Sequence, residues 1–229
     1  MSSDPLDQST IRDAACVVVV DSSGCEPTLL MGRRHADQVF LPSKWVFPGG
    51  RVDADDRDLA MRFTCAYSPS DLAPDIRPFA LAAVRELGEE TGLLIGTNEL
   101  FAGEWRHGWS AFAAAGYAPA PVQLLPLARA ITPPGRVRRY DTWFFMARRQ
   151  AISDTTTAAD GELLDLDWFS FGQARKLDLP NITRLVLEDV AARLSRTPDL
   201  PVEQLPFYYS DACGFRCTLI SCRAAMRAP

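Results

Sequence analysis

Three glutamates, Glu86, Glu89 and Glu90, stand inside the run Arg85-Glu86-Leu87-Gly88-Glu89-Glu90-Thr91-Gly92-Leu93, and no other feature constrains the chain so tightly. A helix turns by about 100° per residue, so positions three and four apart share a face. On a helix all three carboxylates project to one side and repel one another by about 0.2–0.5 kcal/mol per pair. A divalent cation removes that penalty, because Mg²⁺ and Mn²⁺ take hard oxygen ligands. The plain alternative is an acidic face turned to water. The flanking residues argue against it.

Upstream lies Phe47-Pro48-Gly49-Gly50, a run that forces a tight turn and lets backbone come close to a ligand, since glycine has no Cβ. Downstream, Gly92 is placed to end the helix in the left-handed conformation. Turn, helix and carboxylates together resemble the Nudix box, whose consensus reads G-x5-E-x7-R-E-U-x-E-E-x-G-U, with U an aliphatic residue. The second half matches at every specified position from Arg85 to Leu93. In the first half, Asp56 stands where the consensus has glutamate. The consensus spacing from Gly50 would put the arginine at position 64, and here it is Arg85. Residues 57 to 77 therefore read as an insertion. Its Ser68-Pro69-Ser70-Asp71 cluster and Pro74 have the composition of a surface loop.

An interrupted box of this kind resembles the branch typified by the peroxisomal coenzyme A diphosphatase. Phe40 to Gly50 and Arg139-Tyr140-Asp141-Thr142-Trp143-Phe144-Phe145 are similar to that branch too. Its additional coenzyme A signature is met in part: Leu30, Met31 and Arg34 are compatible, whereas Val39 and Ser43 occupy the later arginine and glycine positions. The resemblance implies an α/β fold, a Nudix-type α/β/α sandwich with a mixed sheet. It also implies a metal-dependent hydrolase that cleaves the pyrophosphate of a nucleoside diphosphate linked to another moiety. Coenzyme A or acyl-CoA is the leading substrate expectation, with ADP-ribose or a dinucleotide behind it. Two other classes share the fold: a non-catalytic binding protein, which the intact triad disfavours, and an isopentenyl diphosphate isomerase. The isomerase needs a cysteine at the site entrance, for which Cys65 is the nearby candidate.

The residues place the elements of such a fold. Cys16-Val17-Val18-Val19-Val20 reads as a buried strand within 14–21, with 27–33 as its hairpin partner across Ser22-Ser23-Gly24. A short strand over Val46 and Phe47 leads into the glycine turn. The triad helix spans 79–91, with Pro78 in its first turn and Ala80, Ala83, Val84 and Leu87 on its apolar side. Strands follow at 137–147 and 163–169, and an amphipathic helix at 181–194. Early strands joined by hairpins disfavour a doubly wound parallel sheet.

With 229 residues, 47% of them hydrophobic and 23% charged, the chain has material for one core. No low-complexity linker divides it, so residues 1–229 are expected to form one domain. The insertion at 57–77 and a C-terminal extension at 197–229 are its additions. A net charge of −5 disfavours a general nucleic-acid binder, and no run of eighteen apolar residues suits a membrane span. Met1-Ser2-Ser3-Asp4-Pro5 lacks the look of a secretion signal, and a cytoplasmic location is expected. The six cysteines form no Cys-x-x-Cys pair, which disfavours zinc. The apolar tail, with Phe207-Tyr208-Tyr209 and Thr218-Leu219-Ile220, is expected to pack on its own subunit or to form a homodimer contact.

The site expected from the resemblance draws on these placements. Glu86, Glu89 and Glu90, with the carbonyl of Gly50, would hold Mg²⁺ or Mn²⁺, and Glu86 or Glu90 would orient or deprotonate the attacking water. Glu162 is the candidate for a further carboxylate from a late loop. Arg33, Arg34 and Arg139 are candidates for binding the substrate's phosphates. Arg85 reads as a structural ion-pair partner of Glu89, and Gly92 as a structural residue of the motif. Trp45, Trp105, Trp109 and Trp143 could stack on a base, although aromatics this large are more often core.

Overall fold

The computed structural model describes residues 10–62, 75–98, 107–196 and 203–221. The organising strand is β1 (Ile11–Asp21), whose Val17 to Val20 are fully buried, as a strand covered on both faces requires. It pairs antiparallel with β2 (Thr28–Arg34) through the expected hairpin, and in parallel with β8 (Arg139–Arg148) over ten residue pairs. The β7 strand (Leu125–Ile131) lies antiparallel to β8, and the β10 strand (Leu163–Ser170) antiparallel to β2. Two short strands, β3 (Trp45–Val46) and β4 (Gly49–Arg51), pair with β2 and β1 respectively. Between them, Phe47 and Pro48 carry the chain from the strand paired with β2 to the strand paired with β1.

The sheet is mixed and covered on both faces, as the sequence predicts. The triad helix α2 (Arg77–Thr91) covers one face, with Ala80 to Val84 and Leu87 fully buried against Ala15, Val17 and Val19 of β1. After two short helices, α3 (Ser110–Ala115) and α4 (Phe171–Ala174), helix α5 (Asn181–Arg196) covers the other, burying Val186, Leu187 and Val190 against Val18, Val20 and Met31. Alternate residues of β1 thus feed opposite layers. A second small sheet, of β5 (Leu93–Thr97), β6 (Ala118–Pro119) and β9 (Ile152–Thr156), follows directly on α2. Gly92 makes that exit possible: it ends α2 at φ 73°, and a Cβ there would lie 2.1 Å from the Thr157 carbonyl oxygen.

Two expectations are refined. The insertion does not begin as a surface loop: α1 (Ala54–Arg62) runs into it and buries Leu59 and Ala60 in the core beside α2. Residues 63–74, with Cys65 and the Ser-Pro turn cluster, lie outside the described residues. The C-terminal extension is a β-hairpin, β11 (Gln204–Asp211) and β12 (Gly214–Ser221), and β11 joins the main sheet in parallel with β7. The strand order becomes β10-β2-β1-β8-β7-β11-β12. Among the described residues, no helix is long and apolar enough to cross a membrane.

Candidate active site

The carboxylates of α2 divide between two environments. On one side stands Arg85, 3% exposed, whose guanidinium is saturated. Its Nε and Nη2 donate to the two oxygens of Asp56 at 2.9 and 3.0 Å, and Nη2 also donates to the Arg51 carbonyl at 2.9 Å. Its Nη1 donates to Glu89 Oε2 at 2.7 Å and lies 3.0 Å from Glu86 Oε1. Asp56 is fully buried, and its second oxygen accepts the Asp53 amide at 2.9 Å. Burial opposes the arginine's charge, but Asp56 and the two glutamates more than offset it and hold Arg85 ionised. Arg85 thus pairs with Glu89 four residues on and ties α2 to Asp56 of α1. The acid at the end of the first half-motif is its bidentate partner across the insertion.

The other side holds Glu90 and the glycine turn. Glu90 is 2% exposed, and its Oε2 accepts the Gly49 amide at 2.8 Å. Glu86 lies against Gly50 so closely that a Cβ there would stand 2.4 Å from its carboxylate. At Gly49, φ is 156° and a Cβ would meet the Ala15 carbonyl oxygen at 2.3 Å, so the turn presses on β1 and has no room for a side chain. Burial pushes the Glu86 carboxyl up to about 7, with Arg85 opposing and Glu89 adding. Burial likewise raises Glu90 well above the carboxylate range; the Gly49 amide opposes this and Glu86 adds to it. Two enclosed acids thus raise each other's cost of ionisation.

Such a donor set suits a hard divalent cation, which would neutralise Glu90 and the part of Glu86's charge that Arg85, shared with Asp56 and Glu89, does not offset. As the side chains lie, no three His, Cys, Asp or Glu of the described residues converge at metal-binding distance. The reason is visible in the contacts: Arg85 draws Glu86 and Glu89 toward itself while Glu90 turns to the Gly49 amide. Glu86 and Glu90, beside the backbone of Gly50, are the groups that could hold the ion, with Glu89 adjacent.

The remaining candidates fall in different places. Arg34 is the arginine whose charge acts on Glu90, and its Nε donates to the Phe40 carbonyl at 3.0 Å. Arg33 ion-pairs with Asp165 of β10 at 2.5 Å. Arg139 begins β8 and donates from Nε to the Thr132 carbonyl at 3.1 Å. Glu162 is exposed on the loop before β10, close enough to Glu90 for its charge to act there. That loop is fastened to α2, since the amides of Asp160 and Thr157 donate to the carbonyls of Glu89 and Gly92 at 2.8 Å each. Of the tryptophans, Trp109 and Trp143 are core, Trp45 packs edge-on against Phe169 at 5.0 Å, and Trp105 lies outside the described residues.

Two neighbours of the site were not singled out from sequence. Cys16 lies half-buried beneath Gly49, its Sγ 2.7 Å from where a Cβ of that glycine would stand. Burial and Glu90 push its thiol up to about 12. Gln38 donates to the Glu162 carbonyl at 3.3 Å. Neither had a legible signal, because both depend on strand register and loop docking.

No family model and no curated protein matches the sequence. Solved structures do match. A NUDIX hydrolase from Alicyclobacillus acidocaldarius is similar at 27% identity and a TM-score of 0.61, over 79% of this chain and 91% of that one. The NUDIX domain of Shewanella oneidensis NrtR, complexed with ADP ribose, is similar at 15% identity and a TM-score of 0.47, over 84% and 94%. MutT NUDIX hydrolase from Burkholderia pseudomallei is similar at 16% and 0.48, over 79% and 98%. The mixed sheet, its two covering helices and the likeness to the Alicyclobacillus enzyme agree: the chain has the fold of the Nudix hydrolases.

Proposed function

We propose that the chain is a metal-dependent Nudix pyrophosphohydrolase acting on a nucleoside diphosphate linked to a second moiety. The observation that carries this reading is the pair of adjoining acids, Glu86 and Glu90, set against the Gly49–Gly50 turn, with the one guanidinium of Arg85 divided among Glu86, Glu89 and Asp56. A bound Mg²⁺ or Mn²⁺ supplies neutralisation of the pyrophosphate oxygens, whose charge would otherwise repel a water nucleophile. The chain's own residues do the rest. Glu86, Glu89 and Glu90 with the Gly50 carbonyl hold the ion. Glu86 or Glu90 would orient the attacking water or take its proton. Arg34 and Glu162, whose charges both act on Glu90, would bind a phosphate there and orient water respectively.

The interrupted motif puts coenzyme A and acyl-CoA first among substrates, with ADP-ribose and dinucleotides next. Following ³¹P NMR of coenzyme A, ADP-ribose, NADH and diadenosine tetraphosphate with the protein and Mn²⁺ tests the reading. Cleavage of at least one P–O–P bridge, abolished by EDTA, is expected. Binding without hydrolysis of any of them contradicts it and favours a non-catalytic member of the fold.

A further inference from the structure

The two ends of the main sheet are finished differently, and from that difference we infer that β12 is the seam of a two-fold symmetric dimer. An exposed edge strand templates pairing with another chain unless charges, proline or a bulge blunt it. The β10 edge is blunted in this way. It carries Asp165 and Asp167, its register against β2 shifts between Leu164 and Asp167, and Asp165 sits at φ 51°. On β12 neither proline nor a register shift appears, and a single charge does. Its eight residues, Gly-Phe-Arg-Cys-Thr-Leu-Ile-Ser, pair with β11 without a register shift and contain no proline, lysine or acid. Its one charge, Arg216, is already tied to Asp211 of the same hairpin at 3.1 Å.

The side chains add an apolar stripe. Cys217 pairs with Tyr208 and Leu219 with Pro206, so Phe215, Cys217 and Leu219 lie on the face where Tyr208 packs with α5. Phe215 stacks on Tyr208 with ring centroids 6.0 Å apart, yet remains 58% exposed, and Leu219 is 63% exposed. On the opposite face, Ile220 is packed against the core beneath α2. The bare stripe therefore lies beyond the reach of α5, along the edge.

A second copy of this chain is the occupant the strand itself specifies, because β12 read antiparallel about Cys217 is its own complement. Phe215 of each copy then faces Leu219 of the other on the same side of the sheet. Arg216 faces Thr218, and Cys217 faces Cys217 on the axis. No like charges oppose, and two aromatic–aliphatic cross-strand pairs form, an isologous contact that closes on itself. The sheet becomes continuous through both subunits.

Sedimentation equilibrium of the full-length protein, with thermal unfolding alongside, tests the seam. Expected are a mass twice 25.3 kDa for the wild type and a monomer for Leu219→Lys, whose exposed position leaves the subunit folded. Diamide, which takes up the two thiol hydrogens as it is reduced to the hydrazine, tests the register. A Cys217–Cys217 disulfide is expected in the wild type, Cys213→Ser and Cys222→Ser proteins and not in Cys217→Ser. A monomeric wild type overturns the proposal. So does a Leu219→Lys protein that remains a dimer, or a cross-link that survives Cys217→Ser.

Discussion

The two sides of α2 carry the same acids on opposite terms. On the Arg85 side, Asp56 and Glu89 share one buried guanidinium, and the Asp56 oxygens and the donors facing them are matched. On the Gly49 side, Glu90 is buried with the Gly49 amide to offset it, and Glu86 stands between it and Arg85, drawing on a guanidinium that Asp56 and Glu89 already share. A matched buried pair holds a fold together only so long as both partners remain, whereas unmatched acids lower stability and keep their lone pairs available. The difference separates scaffold from chemistry within five residues of one helix. It also says which substitutions should harm stability and which should harm turnover.

The largest effect belongs to the Gly49 side. Glu90→Gln keeps an oxygen for the Gly49 amide and removes a buried charge, so the metal-free protein should be as stable as the wild type or more so at pH 8. Turnover should fall by about a thousandfold, since a ligand that stabilises a phosphoryl transition state is lost. Steady-state kinetics and urea unfolding on one preparation check both halves. Asp56→Asn should do the reverse. It strands Arg85, 3% exposed, beside a neutral amide, at a cost of about 3 kcal/mol in urea unfolding. If it costs under about 1 kcal/mol, the division between scaffold and chemistry fails.

Gly50→Ala sharpens the comparison further. The added Cβ meets the far end of the Glu86 side chain at 2.4 Å, not backbone, so stability should change by under about 1 kcal/mol. Displacing Glu86 by about 1 Å should still lower turnover by about ten- to a hundredfold. Circular dichroism melts and kinetics distinguish this from a folding defect.

The smallest effect concerns a buried acid remote from the site, and serves as a control. Asp189 on α5 accepts the Tyr208 hydroxyl at 2.9 Å. Burial raises its carboxyl from 3.8 to about 6, with Tyr208 opposing and Glu188 adding. A folded-state value above the unfolded one means that the folded protein binds the extra proton between them. The stabilisation is full below pH 3.8 and is lost as pH rises through about 6. With partial solvent screening it amounts to about 1 kcal/mol. Asp189→Asn should flatten the urea midpoint between pH 4 and 6.5 and leave turnover unchanged.

How far the sequence reveals these features follows from the range of the interactions. The helix that bears the glutamates and its Gly92 stop are local, set by spacings of three and four residues, and the structure shows them as the sequence predicts. Asp56 finds Arg85 across an insertion, and Cys16 reaches the site because β1 pairs with β4 in one register. Neither is encoded nearby. The tail was hidden for another reason: Pro206 within Gln204–Asp211 argues against a strand, but β11 pairs with β7 only at Phe207 and Tyr208, which spares the proline. The insertion looked like a loop because its turn residues come after its first helical stretch, where Leu59 and Ala60 reach the core.

Whether Glu86 and Glu90 form a metal site can be measured without any substrate. Titrating Mn²⁺ into the wild type and the Glu86→Gln/Glu90→Gln double variant, with free ion read by electron paramagnetic resonance, does so directly. The expected result is saturable binding by the wild type, weakened at least about tenfold in the variant. Equal affinity in the two proteins would place the cation elsewhere and contradict the assignment of Glu86 and Glu90.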